Sequence, residues 1–240
     1  MKTMISRTLI PVLLTSLLAA PAVAGSEHQS HGDEITQVRA VVKNLLVDNA
    51  AFVKAHKGSY FDPMVKGQQP RATVVTCSDS RVHTHALDKT PDGDLFMIRE
   101  IGNQHATGEG SIEYGVRHLN TPVLMFIGHS SCGAVKAVMG GYAGIEPAIK
   151  KELDTLQVPG KNPKDDKEVM ASVEANVNNQ VTSALQKYDA EVKAGTLTVI
   201  GAVYDFRNDY KQGNGRLVVV NVNGETDGAK IKQAPAMPKK

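Results

Sequence analysis

Four short apolar runs, RATVVTC (71–77), DLFMIRE (94–100), TPVLMFIG (121–128) and TLTVIGAVYD (196–205), constrain this chain more than any other feature. None shows the apolar–polar alternation of a half-wet strand, so each suits a strand buried on both faces. Between them the spacing turns helical: residues 108–119 carry Ile112, Val116 and Leu119, residues 131–140 follow, and in 164–194 a stripe of Val173, Val177, Val181, Leu185 and Tyr188 recurs. That stripe predicts packing in a core or interface rather than a cofactor box. Upstream, Ile35, Val38, Val41, Val42, Leu45 and Leu46 predict one amphipathic helix from 34 to about 57, ended by a linker with Gly58, Pro63, Gly67 and Pro70. Strand and helix patterns in alternation imply an α/β fold, a parallel β-sheet core flanked by helices. Gly213-Asn214-Gly215 between strand-like runs predicts a C-terminal antiparallel strand or hairpin.

The first residues read as an address rather than as fold. Lys2 and Arg7 precede an apolar stretch from Leu9 to Ala20, and Ala22-Val23-Ala24 fits a small-residue cleavage site, so 1–24 is expected to be a removable signal peptide. The stretch is short, contains Pro11 and lacks a stop-transfer pattern, which argues against a membrane anchor. No twin arginine precedes it, which favours export of an unfolded chain to the periplasm, where any metal is acquired. A polar leader (25–33), one domain (34–228) and a flexible tail (229–240) complete the expected organisation. The 27 basic and 25 acidic residues are interspersed, so no nucleic-acid footprint is visible, and no membrane partner is expected once the signal is removed.

The chemistry concentrates in CSDSRVH (77–83). In extended backbone, residues two apart share a face, so Cys77, Asp79 and Arg81 point one way, at the end of the first predicted strand. Ligands in open α/β sheets sit at the carboxyl ends of strands. The run MFIGHSSCGAV places His129 and Cys132 in a His-x-x-Cys turn at the end of another strand. Two thiolates and an imidazole make three ligands of a tetrahedral zinc site, with the fourth position left for water or for Asp79. Such a site lowers the pKa of bound water; two thiolates offset the ion's charge, so the activity is expected to rise towards alkaline pH. Two cysteines in an exported protein would ordinarily suggest a disulfide. A structural bridge has no need of Asp79, Arg81 and His129, which favours the metal, although metal-free protein could oxidise across the site.

CSDSR (77–81) with GHSSCGAV (128–135), DLFMIREIGN and SIEYGVRHL resembles the β-class carbonic anhydrases over about residues 35–222. The resemblance implies a zinc enzyme that interconverts carbon dioxide and bicarbonate, with one Zn2+ per subunit on Cys77, His129 and Cys132. It implies that Asp79 either pairs with Arg81 in an open form or takes the fourth metal position in a closed, inactive one. It implies a pocket lined by the Gly102 backbone, and a homodimer or homotetramer in which the N-terminal helix extends onto a partner subunit. A bidentate bond to Arg81 would hold Asp79 off the metal and leave an oxygen free to accept a hydrogen bond. The chain departs from the family at Glu100-Ile101, where Asn-Ala is usual, and at His83, Thr84 and His85, where prolines are common. With no tryptophan, the Trp-containing bicarbonate regulatory site of some members is absent in that form.

Other titratable groups read more plainly. His83 and His85 are expected in a turn or short helix as solvated groups, with a proton shuttle as the alternative; His28 and His31 fall in the leader; Gly102 and Asn103 are expected to form a turn; Glu109, Glu113 and Lys136 look like exposed helix charges. Two alternatives to carbon dioxide hydration remain open at this stage: hydrolysis of carbon disulfide or carbonyl sulfide on the same site, and a non-catalytic zinc or thiol–disulfide protein.

Overall fold

A computed structural model of the chain describes residues 34–239; the expected signal peptide and polar leader lie outside the described residues. Two compact units are present, one ending at Tyr60 and the other running from Phe61 onward. The first holds helix α1 (Glu34–Ala55), whose Ile35, Val38, Val41, Val42, Leu45 and Leu46 are between 48% and 66% exposed. Near its end Phe52, His56 and Tyr60 cluster, with the His56 ring 4.1 Å from Phe52 and 4.2 Å from Tyr60.

The second unit opens with the short helix α2 (Asp62–Val65) and is built on five strands: β1 (Ala72–Cys77), β2 (Leu95–Glu100), β3 (Val123–His129), β4 (Thr198–Asp205) and β5 (Arg216–Val222). Their order is β2-β1-β3-β4-β5, parallel throughout except for β5, which runs antiparallel to β4 as the C-terminal pattern implied. The chain passes from β1 to β2 on one side and then returns to β3 on the other. A crevice therefore opens beyond the carboxyl ends of β1 and β3, the place where open α/β sheets bind ligands.

Helices α3 (His105–Glu113), α4 (Gly133–Gly140) and α6 (Asp166–Lys187) share one face of the sheet. Val75, Leu124, Phe126 and Val199 pack there against Ile112, Val116 and Val181, while Val203, Val218 and Val220 meet Val135, Val169, Val173 and Val177. The valine stripe of α6 is thus core. Its close approach depends on missing side chains: a Cβ on Gly128 would lie 2.7 Å from Val177 Cγ2, and one on Gly201 2.7 Å from Val177 Cγ1. Burial on both faces, expected of all four runs, is complete only on this side. On the other, Val74, Ile127 and Ala202 are buried but Met97, Met125, Tyr204 and Leu217 are half-buried.

The expected 164–194 helix is two, because Tyr188 leaves helical backbone (φ −112°, ψ 29°) before α7 (Asp189–Lys193). α5 (Pro147–Leu153) had no counterpart in the sequence pattern, and α3 continues as a wide π turn over Tyr114–His118. The expected tail is partly ordered: Asp227 caps α8 (Gly228–Ile231), whose Ile231 is 4% exposed, because this apolar side chain gains more from burial than the turn loses in entropy.

Candidate metal centre

Cys77 is the last residue of β1 and His129 the last of β3, neighbouring strands whose register pairs Thr76 with Ile127. After β3 the chain turns through Ser131, which takes a left-handed backbone (φ 55°), and brings Cys132 to the N-cap of α4. Cys77, His129 and Cys132 are all buried, and among the described residues they form a cluster whose Sγ and imidazole nitrogen atoms lie within 4.8 Å of one another. The two sulfurs are free rather than bonded to each other.

The electrostatics suit thiolates. A hydrogen bond from Cys132 pulls the Cys77 thiol down to about 4, with help from the backbone N–H groups of Gly102 and Asp79, against the effect of burial. Cys132 moves the other way, held up by its neighbour Cys77 and by burial, although the nearby Ala134 and Val135 amides at the start of α4 oppose the rise. A divalent cation held between the two sulfurs would favour the thiolate form of both.

His129 tests whether a metal fits. Its Nδ1 donates to the Ser130 carbonyl at 3.0 Å, so Nε2 is the nitrogen left to face the two sulfurs. That Nε2 is buried and has no hydrogen-bond partner. An orphaned buried acceptor beside two thiols is what an absent cation leaves, and a donor set of two sulfurs and one nitrogen is that of tetrahedral zinc.

Asp79 sits beside the cluster with Oδ2 3.8 Å from His129 Nε2. Arg81 holds it bidentately, Nε to Oδ1 at 2.8 Å and Nη2 to Oδ2 at 2.6 Å, while the Arg81 backbone N–H reaches Oδ1 at 3.0 Å. These bonds, the Arg81 side chain first, hold the Asp79 carboxyl far below the usual carboxylate range. Asp79 and Arg81 meet, but not by the expected alternation along an extended segment: β1 stops at Cys77, and the chain then turns, with the Val82 N–H donating to the Asp79 carbonyl at 3.0 Å. Gly102 (φ 79°) and Asn103 (φ 49°) make the expected turn. His83 and His85 flank and occupy a 3-10 turn, exposed, their rings 6.4 Å apart. Glu109 is exposed and pairs with Lys187 at 2.8 Å, while Glu113 is half-buried and bonded to Arg117 at 2.5 Å. Lys136, expected to be an exposed charge, is half-buried and donates to Ser131 Oγ at 2.7 Å, so it steadies the His129–Cys132 turn.

Several site residues gave no sequence signal. Arg99 Nη2 donates to the Asp79 carbonyl at 2.8 Å from β2. Asn176 Nδ2 on α6 donates to the Gly102 carbonyl at 2.9 Å and is held by Gln180 at 2.8 Å, two buried amides set among the valines. Asp205 ends β4 and Phe206 follows it beside the turn; the same strand-end rule that picked out Cys77 and His129 applies to them. Glu100, in register with Cys77, has its carboxyl pushed up to about 8, chiefly by burial.

A parallel sheet with a Cys/His/Cys cluster at its switch point defines an α/β metalloprotein, and the profile of the family described as carbonic anhydrase matches residues 72–211. The chain belongs to the carbonic anhydrase family. A carbonic anhydrase of Mycolicibacterium smegmatis is 31% identical over 152 residues, 59% of this chain and 73% of that one. One of Synechococcus elongatus is 35% identical over 109 residues, 42% of this chain and 40% of that one, and carbonic anhydrase 2 of Mycobacterium tuberculosis is 40% identical over 77, which is 32% of this chain and 37% of that one. The chain thus spans less than half the length of these last two. Its fold is that of β-carbonic anhydrases: the β-carbonic anhydrase CcaA superposes with a TM-score of 0.65 at 20% identity, covering 78% of this chain and 88% of that one. A tetrameric enzyme from Sordaria macrospora gives 0.59 at 23%, covering 78% and 98%.

Proposed function

We propose that the protein is a zinc-dependent carbonic anhydrase, one ion per subunit, that hydrates carbon dioxide reversibly to bicarbonate and a proton. The observation that carries this reading is the buried, unpartnered Nε2 of His129 facing two free cysteines beside an arginine-restrained carboxylate. Cys77 Sγ, His129 Nε2 and Cys132 Sγ would hold the ion, and a zinc ion there supplies the Lewis acidity that makes water a nucleophile near neutral pH.

The remaining steps belong to the chain's own groups. Arg81 grips both oxygens of Asp79, so the carboxylate would be restrained from binding an ion held by the two cysteines and His129. So restrained, Asp79 stays ionised and its Oδ2 accepts a hydrogen bond from the nucleophile, orienting it towards carbon dioxide. Arg99, by holding the Asp79 carbonyl, fixes the backbone from which that carboxylate projects. The Gly102 backbone N–H supports the Cys77 thiolate, Asn176 holds the Gly102 carbonyl, and lining the substrate pocket is the role this reading gives that backbone. Carbon disulfide or carbonyl sulfide would meet the same groups, so access rather than the metal decides between them.

The wider setting belongs to the same proposal: export by the segment 1–24 to the periplasm, and a homodimer or homotetramer in which the apolar residues of α1 lie against a second copy. Support for the oligomer is the exposed Val38, Val41, Leu45 and Leu46, too continuous for a helix that stays in water. Stopped-flow carbon dioxide hydration, run beside carbon disulfide consumption and metal analysis, tests the activity. Hydration with stoichiometric zinc supports it; consumption of carbon disulfide alone overturns the substrate, and the lack of both overturns the enzyme.

A further inference from the structure

The loop that leaves β4 closes on the metal centre with an aromatic ring. The Arg81 guanidinium carbon lies 5.1 Å from the centroid of Phe206. The same ring stacks on His129 at 6.1 Å and 28°, and Tyr204 meets it edge-on at 5.7 Å and 70°. One side chain, far from either in sequence, thus contacts both the arginine that restrains Asp79 and a metal ligand.

The ring is well anchored. The preceding residue, Asp205, is fully buried and accepts from Ser130 Oγ at 2.9 Å, from Asp209 N–H at 2.9 Å and from Tyr210 N–H at 2.8 Å. That carboxylate ties the start of the loop to the turn bearing His129. Arg81, by contrast, is half exposed, and a long exposed side chain keeps much rotamer freedom unless a surface pins it. Besides Asp79 it has one further bond, to the Ser131 carbonyl at 3.3 Å. A guanidinium laid on an aromatic face gains both cation–π attraction and stacking, and keeps its planar fork free for a carboxylate.

We propose that Phe206 is a positioning residue for the Asp79–Arg81 pair: its π face holds the Arg81 guanidinium where it grips both Asp79 oxygens, and so keeps the carboxylate off the metal position. The inference rests on the restraining role proposed for Arg81. Phe206 acts through Arg81, whose guanidinium its ring contacts.

Phe206→Leu keeps an apolar, shorter side chain and removes the π face; Phe206→Tyr keeps the ring and its reach. In Phe206→Leu we expect zinc content to stay at wild-type level, kcat near neutral pH to fall about fivefold to twentyfold, and the activity profile to move to higher pH as Asp79 competes with water for the metal. Phe206→Tyr restores both. A second readout needs no metal: in reduced apo protein the Arg81 Nε–H resonance, protected by its 2.8 Å bond to Asp79, exchanges faster in Phe206→Leu and recovers in Phe206→Tyr. Wild-type behaviour of Phe206→Leu in both readouts overturns the role of Phe206, as does a Phe206→Tyr protein as impaired as Phe206→Leu. Arg81→Ala separates the two levels. If it turns over normally, the restraint itself is refuted; if it is inactive while Phe206→Leu is normal, only the inference about Phe206 falls.

Discussion

At the residue scale the centre contains groups that read directly from spacing and groups that do not. Cys77 is legible because it ends a strand-length apolar run, and His129 and Cys132 because a short turn at a strand end brings both onto one point, whereas Asp79 and Arg81 meet through a turn that alternation along an extended segment does not describe. The division of labour among them gives the first expectation. Cys77→Ser and His129→Ala should lose zinc, measured by elemental analysis, whereas Asp79→Asn should keep zinc and lose most of its activity. The contacts of Lys136, Arg99 and Asp205 were silent because their partners come from other turns, strands and loops, and no local pattern encodes them. Glu100 marks a departure from the family pattern with a consequence for stability. Burial raises its carboxyl to about 8, above its unfolded value, so the fold favours the protonated form. Its stabilising effect is complete below the unfolded pKa, is lost progressively as pH rises to about 8, and is constant beyond. Glu100→Gln, which is neutral at every pH, should therefore be more stable than wild type at pH 8, by about 1–3 kcal/mol after allowance for partial exposure, with the gain shrinking towards pH 4. Urea denaturation of both proteins at the two pH values measures it.

At the element scale the sheet was the legible part. Apolar runs of strand length, separated by helical spacing, give all four parallel strands to within two residues, since both signals depend only on local periodicity. Short or interrupted elements escaped. α5 spans a Lys-rich segment after Pro147 with little apolar period, and the break at Tyr188 comes from tertiary packing of a fully buried ring. The fit of α6 on the sheet depends on Gly128 and Gly201 lying under Val173, Val177 and Val181, a spacing that sequence periodicity does not display. Gly201→Ala would drive its new methyl into Val177 and Val181 and should cost about 1–3 kcal/mol, seen as a lower denaturation midpoint with an unchanged slope. Asp165, whose carboxylate accepts from the Lys167 and Glu168 amides, caps the same helix, and Asp165→Ala should cost about 1 kcal/mol.

At the scale of the whole molecule, among the described residues no helix is long and apolar enough to cross a membrane, yet α1 displays an apolar stripe. Val41→Glu with Leu45→Glu should lower the assembled mass by sedimentation velocity if a second copy covers that stripe, because two buried carboxylates would face apolar surface. A monomeric wild type would refute the proposed assembly. The proposed function rests on a single divalent ion that side chains from two strand ends and one helix start would hold. The most direct measurement is carbon dioxide hydration rate across pH 6 to 9, with zinc stoichiometry determined on the same reduced sample. The proposal requires one zinc per chain and a rate that climbs towards alkaline pH, both abolished in His129→Ala. Metal-free protein with full turnover, or an active sample in which Cys77 and Cys132 are joined to each other, would contradict it.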